Sequence, residues 1–317
     1  MAGCRSPRSV RERDKTRPAI YQPSKQMPRR DKTNVPSDGR NPGRALPIRR
    51  DLRPLYVLTF VIALLMAVAS LTGLLCRSSI YATHDLLSTF LPNDAVSLFV
   101  GLPLILVSVL LARRGLLLGL LLWPGSLLFV FYNYVVYALA MPLGAALVIY
   151  VVLVALSLYV TFLLVRSIDG AAVRKWLAGA IPEKAMGGLL AALGILLFLQ
   201  AIDAMATAVA GQTQSTVPQL ATHVSDLFIT PVWVIGGVLL WRRRALGYVI
   251  GLGLLFQASM LFIGLILFLL LQPILVSGTL AVSSVVVVFV LGLLCFVPFA
   301  FFVRAVLLVA ARSPPTE

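Results

Sequence analysis

The sequence predicts an all-α integral membrane protein of about eight transmembrane helices, arranged as a 4+4 parallel internal repeat with both termini in the cytoplasm. Three observations carry this reading. Hydrophobic residues make up 59% of the chain and charged residues 12%, with a mean hydropathy of +0.95, far from soluble composition. The apolar residues fall in runs long enough to cross a bilayer, which takes about 20 helical residues. They lack the ten-residue alternation of an outer-membrane barrel. Of the 27 Lys and Arg, only Arg77 falls in a connection assigned to the outside. Positive residues stay on the cytoplasmic side during insertion, so this asymmetry orients every span.

Residues 1–54 carry 15 Lys/Arg against 5 Asp/Glu, a net +10, with proline throughout. Such a segment buries too little apolar surface to offset its chain entropy and reads as a disordered basic cytoplasmic tail. It reads first as a solvated topogenic tail; anionic lipid headgroups are the alternative partner, at about 1 kcal/mol per basic residue near the surface. A nucleic-acid partner is the weaker reading. The spans follow at roughly 55–76, 94–112, 115–138 and 145–165, a first repeat over 55–166. A cytoplasmic connection over 167–186 leads to spans at roughly 187–210, 223–241, 246–271 and 280–303. These form a second repeat over 187–306, closed by a short cytoplasmic tail over 307–317. The first run is too long, and too far from the N-terminus, for a cleaved signal peptide. Helices alone let isolated spans satisfy their backbone groups in lipid.

The repeat rests on an offset of 132 residues. It maps Asp94 onto Asp226, and Gly115 and Gly119 onto Gly247 and Gly251. Thr83-His84 and Thr222-His223 precede the two aspartates, and Arg113-Arg114 nearly coincides with Arg242-Arg243-Arg244. Four spans per half return the second half in the same orientation, as parallel repeats about an axis along the membrane normal.

Gly101 to Leu143 contains Leu111-Ala112-Arg113-Arg114-Gly115, Leu122-Trp123-Pro124-Gly125 and Tyr132-Asn133-Tyr134. This stretch resembles a group of prokaryotic multi-pass membrane proteins without an assigned activity. The stretch Gly236 to Tyr248, with its three arginines, is similar to the same group. The resemblance covers about a third of the chain. It implies the cytoplasmic membrane of a bacterium or archaeon and carries over no activity.

No phosphate-binding loop, zinc helix, nucleophile elbow or paired-cysteine motif is present in the sequence. Two histidines and three scattered cysteines give no cofactor or metal spacing. What remains is a polar set in the outer half of the membrane. Asp203 is the one carboxylate well inside an apolar run. There a charge costs about 2.5–3.5 kcal/mol and calls for a wet or polar partner. Gln200 is three residues earlier on the same helix face. Asp94 and Asp226 begin the second and sixth spans in this reading, where a carboxylate caps free amides and meets the helix dipole. His223 and Asp226 are spaced i, i+3 and form a candidate proton-binding pair. His84 and Asp85 read as a solvated loop, and Tyr132, Tyr134 and Tyr137 as an interfacial aromatic belt. Pro103 and Pro231 interrupt matched spans, a pointer to a transporter's binding site.

Three functions follow in order. The first is a secondary carrier using Asp203, Gln200, Asp94, Asp226 and His223 to bind an ion or small molecule. The second is a structural, assembly or sensory membrane protein whose polar residues are packing and caps. The third is a membrane enzyme acting on lipid or quinone.

Overall fold

The computed structural model describes residues 46–276 and 280–312, with side chains through residue 310. Most of the expected basic tail therefore lies outside the described residues. Among them, eight helices are long and apolar enough to cross a bilayer. The chain is thus a multi-pass helical membrane protein. In order the helices are α1 (Arg53–Leu75), a short α2 (Arg77–Ile80), α3 (His84–Val96), α4 (Leu102–Arg113), α5 (Leu117–Ala140) and α6 (Ala145–Ser167). They continue as α7 (Gly170–Leu177), α8 (Glu183–Val209), α9 (Val217–Trp241), α10 (Ala245–Val276) and α11 (Val282–Arg312). A π turn over Ser97–Gly101 joins α3 to α4 in one span. Neither α2 nor α7 spans.

Two spans begin earlier than their apolar runs. Thr83 accepts the Leu86 N–H at 3.3 Å to start α3, and the Thr216 N–H reaches Gln219 Oε1 at 3.0 Å to start α9. These caps need only one or two polar side chains. Asp94 and Asp226 therefore lie well inside their helices rather than at the ends. His84 and Asp85 form the first turn of α3 rather than a loop. The π turn has a local cause. Pro103 has no N–H and its ring crowds the Phe99 carbonyl, and a wider i→i+5 turn relieves both.

Helix α5 is the hub, with 89% of its apolar window buried against 22–39% for the other spans. It packs on α4, α6, α9 and α10. It crosses α10 closely, where a Cβ on Gly125 would strike the Gly253 carbonyl. Between α8 and α9, a Cβ on Gly187 would come within 2.5 Å of the Gly237 oxygen. Without a hydrophobic force between helices in lipid, such small residues give close packing.

The α4–α5 and α9–α10 turns are alike, hydrogen bond for hydrogen bond, at an offset of 128. The N–H groups of Arg114, Gly115 and Leu116 donate to the carbonyls of Leu110, Ala112 and Leu111. Those of Arg242, Arg243 and Arg244 donate to Val238, Leu240 and Leu239. Gly115 and Arg243 both take positive φ, 76° and 54°. The expected pairing of Gly115 with Gly247 thus shifts by one helical turn at this end. Gly119 and Gly247 are the structural counterparts, each fitting against the helix before its turn.

Arg243 pays for its left-handed backbone with a contact: its Nη2 lies 3.5 Å from Glu183 Oε2. The buried Glu183 also accepts from the Gly179 N–H at 2.9 Å and the Tyr248 hydroxyl at 2.8 Å. One carboxylate thus ties α8, α10 and the α9–α10 turn together. Glu183→Ala is expected to cost about 1–3 kcal/mol, read as a lower melting temperature in detergent.

Residues 46–52 dock on the α6–α7 connection. The Arg49 N–H donates to Ser167 and the Asp169 N–H to Pro47, at 2.8 and 2.7 Å, forming an isolated bridge between Ile48 and Ile168. Asp169 also caps α7 at the Ala171 N–H, 3.0 Å away, and meets Arg49 Nη2 at 2.9 Å. The Arg49 hydrogen bond foremost, with the α7 amides, holds its carboxyl below the usual carboxylate range. A depressed folded pKa gives stability that is present above the unfolded value of about 4 and is lost as pH falls through the folded one. Melting curves of wild type and Asp169→Asn are therefore expected to separate at neutral pH and to converge below about pH 4. The gap should shrink with salt, since the pair is exposed.

Candidate functional site

The basic turns and the α6–α8 connection mark one end of the bundle. In the half toward the other end, a cavity of about 390 Å³ opens between α3, α5, α8, α9 and α10. Phe90, Phe129, Trp233, Phe262 and Phe268 give it apolar walls. Trp233 is held by its Nε1, which donates to Gln257 Oε1 at 2.8 Å.

The polar part is built on four helices. On α9, Asp226 accepts the Tyr132 hydroxyl of α5 at Oδ1, 2.9 Å. His223 lies one turn earlier, with Nδ1 4.0 Å from Asp226 Oδ2, beyond hydrogen-bond reach. That Nδ1 is buried and has no hydrogen-bond partner. Thr230 donates to the Asp226 carbonyl at 2.7 Å and Thr222 to the Pro218 carbonyl at 2.9 Å. On the facing side Asn93 Nδ2 donates to Asn133 Oδ1 at 2.9 Å, and Asn133 Nδ2 donates to Ser97 Oγ at 2.7 Å. Ser97 opens the π turn, so the Pro103 distortion places the last acceptor of this chain. Gln200 and Leu197 are the α8 contribution.

Of the five residues selected from sequence, the structure brings Gln200, His223 and Asp226 together. It places Asp94 elsewhere. Neighbouring residues point about 100° apart on a helix, so Asn93 lines the cavity while Asp94, 1% exposed, turns toward α1 and α5. There it accepts the Tyr137 hydroxyl at 2.7 Å and the Tyr81 hydroxyl. Tyr81 lies outside the spans; burial first, then the Asp94 carboxylate, pushes its phenol up, so it remains a donor. Gly73 on α1 makes the room, because a Cβ there would strike the Asp94 carboxylate. Asp203 is exposed and does not line the cavity. It shares the outward stripe of α8 with Leu196, Leu199 and Ile202.

The tyrosines expected as an interfacial belt lie inside the bundle. Tyr132 serves Asp226, while Tyr134 and Tyr137, each 1% exposed, pack on Tyr150, the first stacked and the second tilted at 51°. Their hydroxyls on two faces of a helix that is apolar all round were the available signal, because a buried phenol calls for a partner. Among the described residues no group of three or more His, Cys, Asp or Glu is placed to hold a metal. Comparison with protein-family models, with curated proteins and with solved structures gave no match.

Proposed function

We propose that the protein is a secondary carrier that binds its solute in the cavity around Asp226, with both termini cytoplasmic and the cavity opening to the outside of a prokaryotic cytoplasmic membrane. The observation that carries this is the cavity itself. A carboxylate, an unpartnered imidazole nitrogen and amide groups converge between apolar walls, the usual make-up of a small-molecule site. The matched turns at an offset of 128 and the glycine crossing of α5 with α10 support a 4+4 arrangement, in which the halves rock about the site. The charge asymmetry supports the orientation. A second reading, assembly with a partner, draws on Asp203, whose exposure on an apolar stripe of α8 is costly in lipid unless something polar covers it.

The test is uptake of labelled ions, amines, amino acids and sugars by liposomes holding the full chain. Saturable uptake of at least one class is expected, and its loss in Gly264→Phe. Gly264 lines the cavity, and a Cβ there makes only an ordinary contact with Val96 at 3.5 Å, so the larger ring fills the space. Uptake of none of these would put the assembly reading first. Sidedness is checked with single cysteines in a cysteine-free background. Those replacing Ala82, Leu143 and Ser215 are expected to label from outside with an impermeant reagent, and one replacing Ala178 is not.

A further inference from the structure

We propose that the solute is a monovalent organic cation, a protonated or quaternary amine carried on an aromatic or apolar body. This rests on the carrier reading of the same cavity and adds its chemical class. The first argument is charge. Asp226 is the carboxylate of the lining, and no Lys or Arg lines the cavity. Among the described residues, one Arg or Lys, the exposed Arg77, belongs to the cavity's end of the bundle. His223, at 4.0 Å, does not complete the carboxylate's shell.

The second argument is the hydrogen-bond inventory. A hydroxyl has one hydrogen and two lone pairs. The hydrogens of Tyr132, Thr222 and Thr230 are all committed to protein oxygens. What these groups still offer a guest is lone pairs, joined by those of Asp226 Oδ2. A guest rich in donors matches this; Thr89, Asn93, Asn133 and Gln200 on the same lining keep hydrogens to donate, so it is the Asp226 charge that disfavours an anion. The third argument is the wall. Aromatic side chains line it on several sides, and a ring face attracts a cation through its quadrupole, the more so once water is excluded. At about 390 Å³ the space is at the small end of ligand sites, about 300–1,000 Å³, enough for one ring and a short amine arm.

The probes are 2-phenylethylammonium, 2-phenylethanol and 3-phenylpropionate, which share a body and differ in charge. They are titrated into the full chain in neutral phosphatidylcholine nanodiscs at pH 7. The cation is expected to bind at least tenfold tighter than the alcohol, and the carboxylate not measurably. Asp226→Asn should bring cation and alcohol within threefold of each other. Asp203→Asn, which lies off the cavity, should preserve the preference. Equal binding of alcohol and cation, binding of the anion, binding of none of the three, or an unchanged preference in Asp226→Asn overturns the cation class. If the alcohol or anion binds wild type and is lost in Gly264→Phe, the class falls while the cavity stands. Failure of the carrier reading is read separately, in the uptake assay.

Discussion

Gly125→Leu is expected to abolish the folded bundle. A Cβ at this position already strikes the Gly253 carbonyl, and a backbone atom in a buried helix cannot turn aside as a side chain can. Overpacking commonly costs about 1–3 kcal/mol where side chains absorb it. Here the whole α5–α10 crossing must separate, and α5 also packs on α4, α6 and α9. The purified variant should run as aggregate on size exclusion with no cooperative melt. Gly253→Ala is the graded control. Its Cβ would lie 3.0 Å from the Gly125 nitrogen and 3.1 Å from the Leu121 oxygen, so the protein should survive with a melting temperature lower by several degrees. A wild-type melt for Gly125→Leu would place the helix crossing elsewhere.

Asp94→Leu is expected to be nearly as damaging, and for a different reason. The buried hydroxyls of Tyr81 and Tyr137 both lose their carboxylate acceptor, at about 1–3 kcal/mol for each stranded group. Tyr137→Phe should cost about half as much. Neither change touches the cavity, so any protein that remains folded should keep its ligand response. Asp226→Asn should show the opposite pattern, with stability close to wild type because an amide oxygen there can still accept the Tyr132 hydroxyl, but altered binding. Thermal melts with and without ligand separate the two carboxylates. An intact melting temperature for Asp94→Leu would mean that the tyrosine pair is not structural.

This contrast shows what the chain made legible. The spans could be read because lipid leaves a helix no alternative partner for its backbone, and apolar length is visible in one dimension. The starts of α3 and α9 could not, because a short polar first turn looks the same as a loop until Thr83 or Thr216 is seen capping it. The register of the turns was misread for a geometric reason. An offset of 132 pairs both glycines of Gly115-x-x-x-Gly119 with Gly247-x-x-x-Gly251, whereas the structural offset of 128, one helical turn away, pairs only Gly119 with Gly247 and sets Gly115 against Arg243. The turn hydrogen bonds select 128. The positions of Asp94 and Asp226 along their spans followed the misread starts, since both lie well inside their helices, and the direction around the helix was not readable. Gln200 and Asp203 share a face only approximately, and the edge of the cavity falls between them. Glu183 went unnoticed because its partners, Arg243 and Tyr248, are about 60 residues away. Tyr132 and Tyr137 find their carboxylates on other helices, and periodicity along one helix carries no trace of such pairs.

In the assembled membrane protein the cavity around Asp226 is expected to be open to water and negative. The direct measurement is the reaction rate of a single cysteine at Leu261, a half-buried lining position, with two methanethiosulfonates of similar size, one carrying a trimethylammonium group and the other a sulfonate. Membranes holding the full chain are expected to react with both, the cationic reagent at least several-fold faster, with that lead removed by Asp226→Asn. A cysteine at Asp203 should show no such dependence on Asp226. No reaction at Leu261, or equal rates for the two reagents, would contradict a wet, negative cavity and leave the bundle without the site proposed for it.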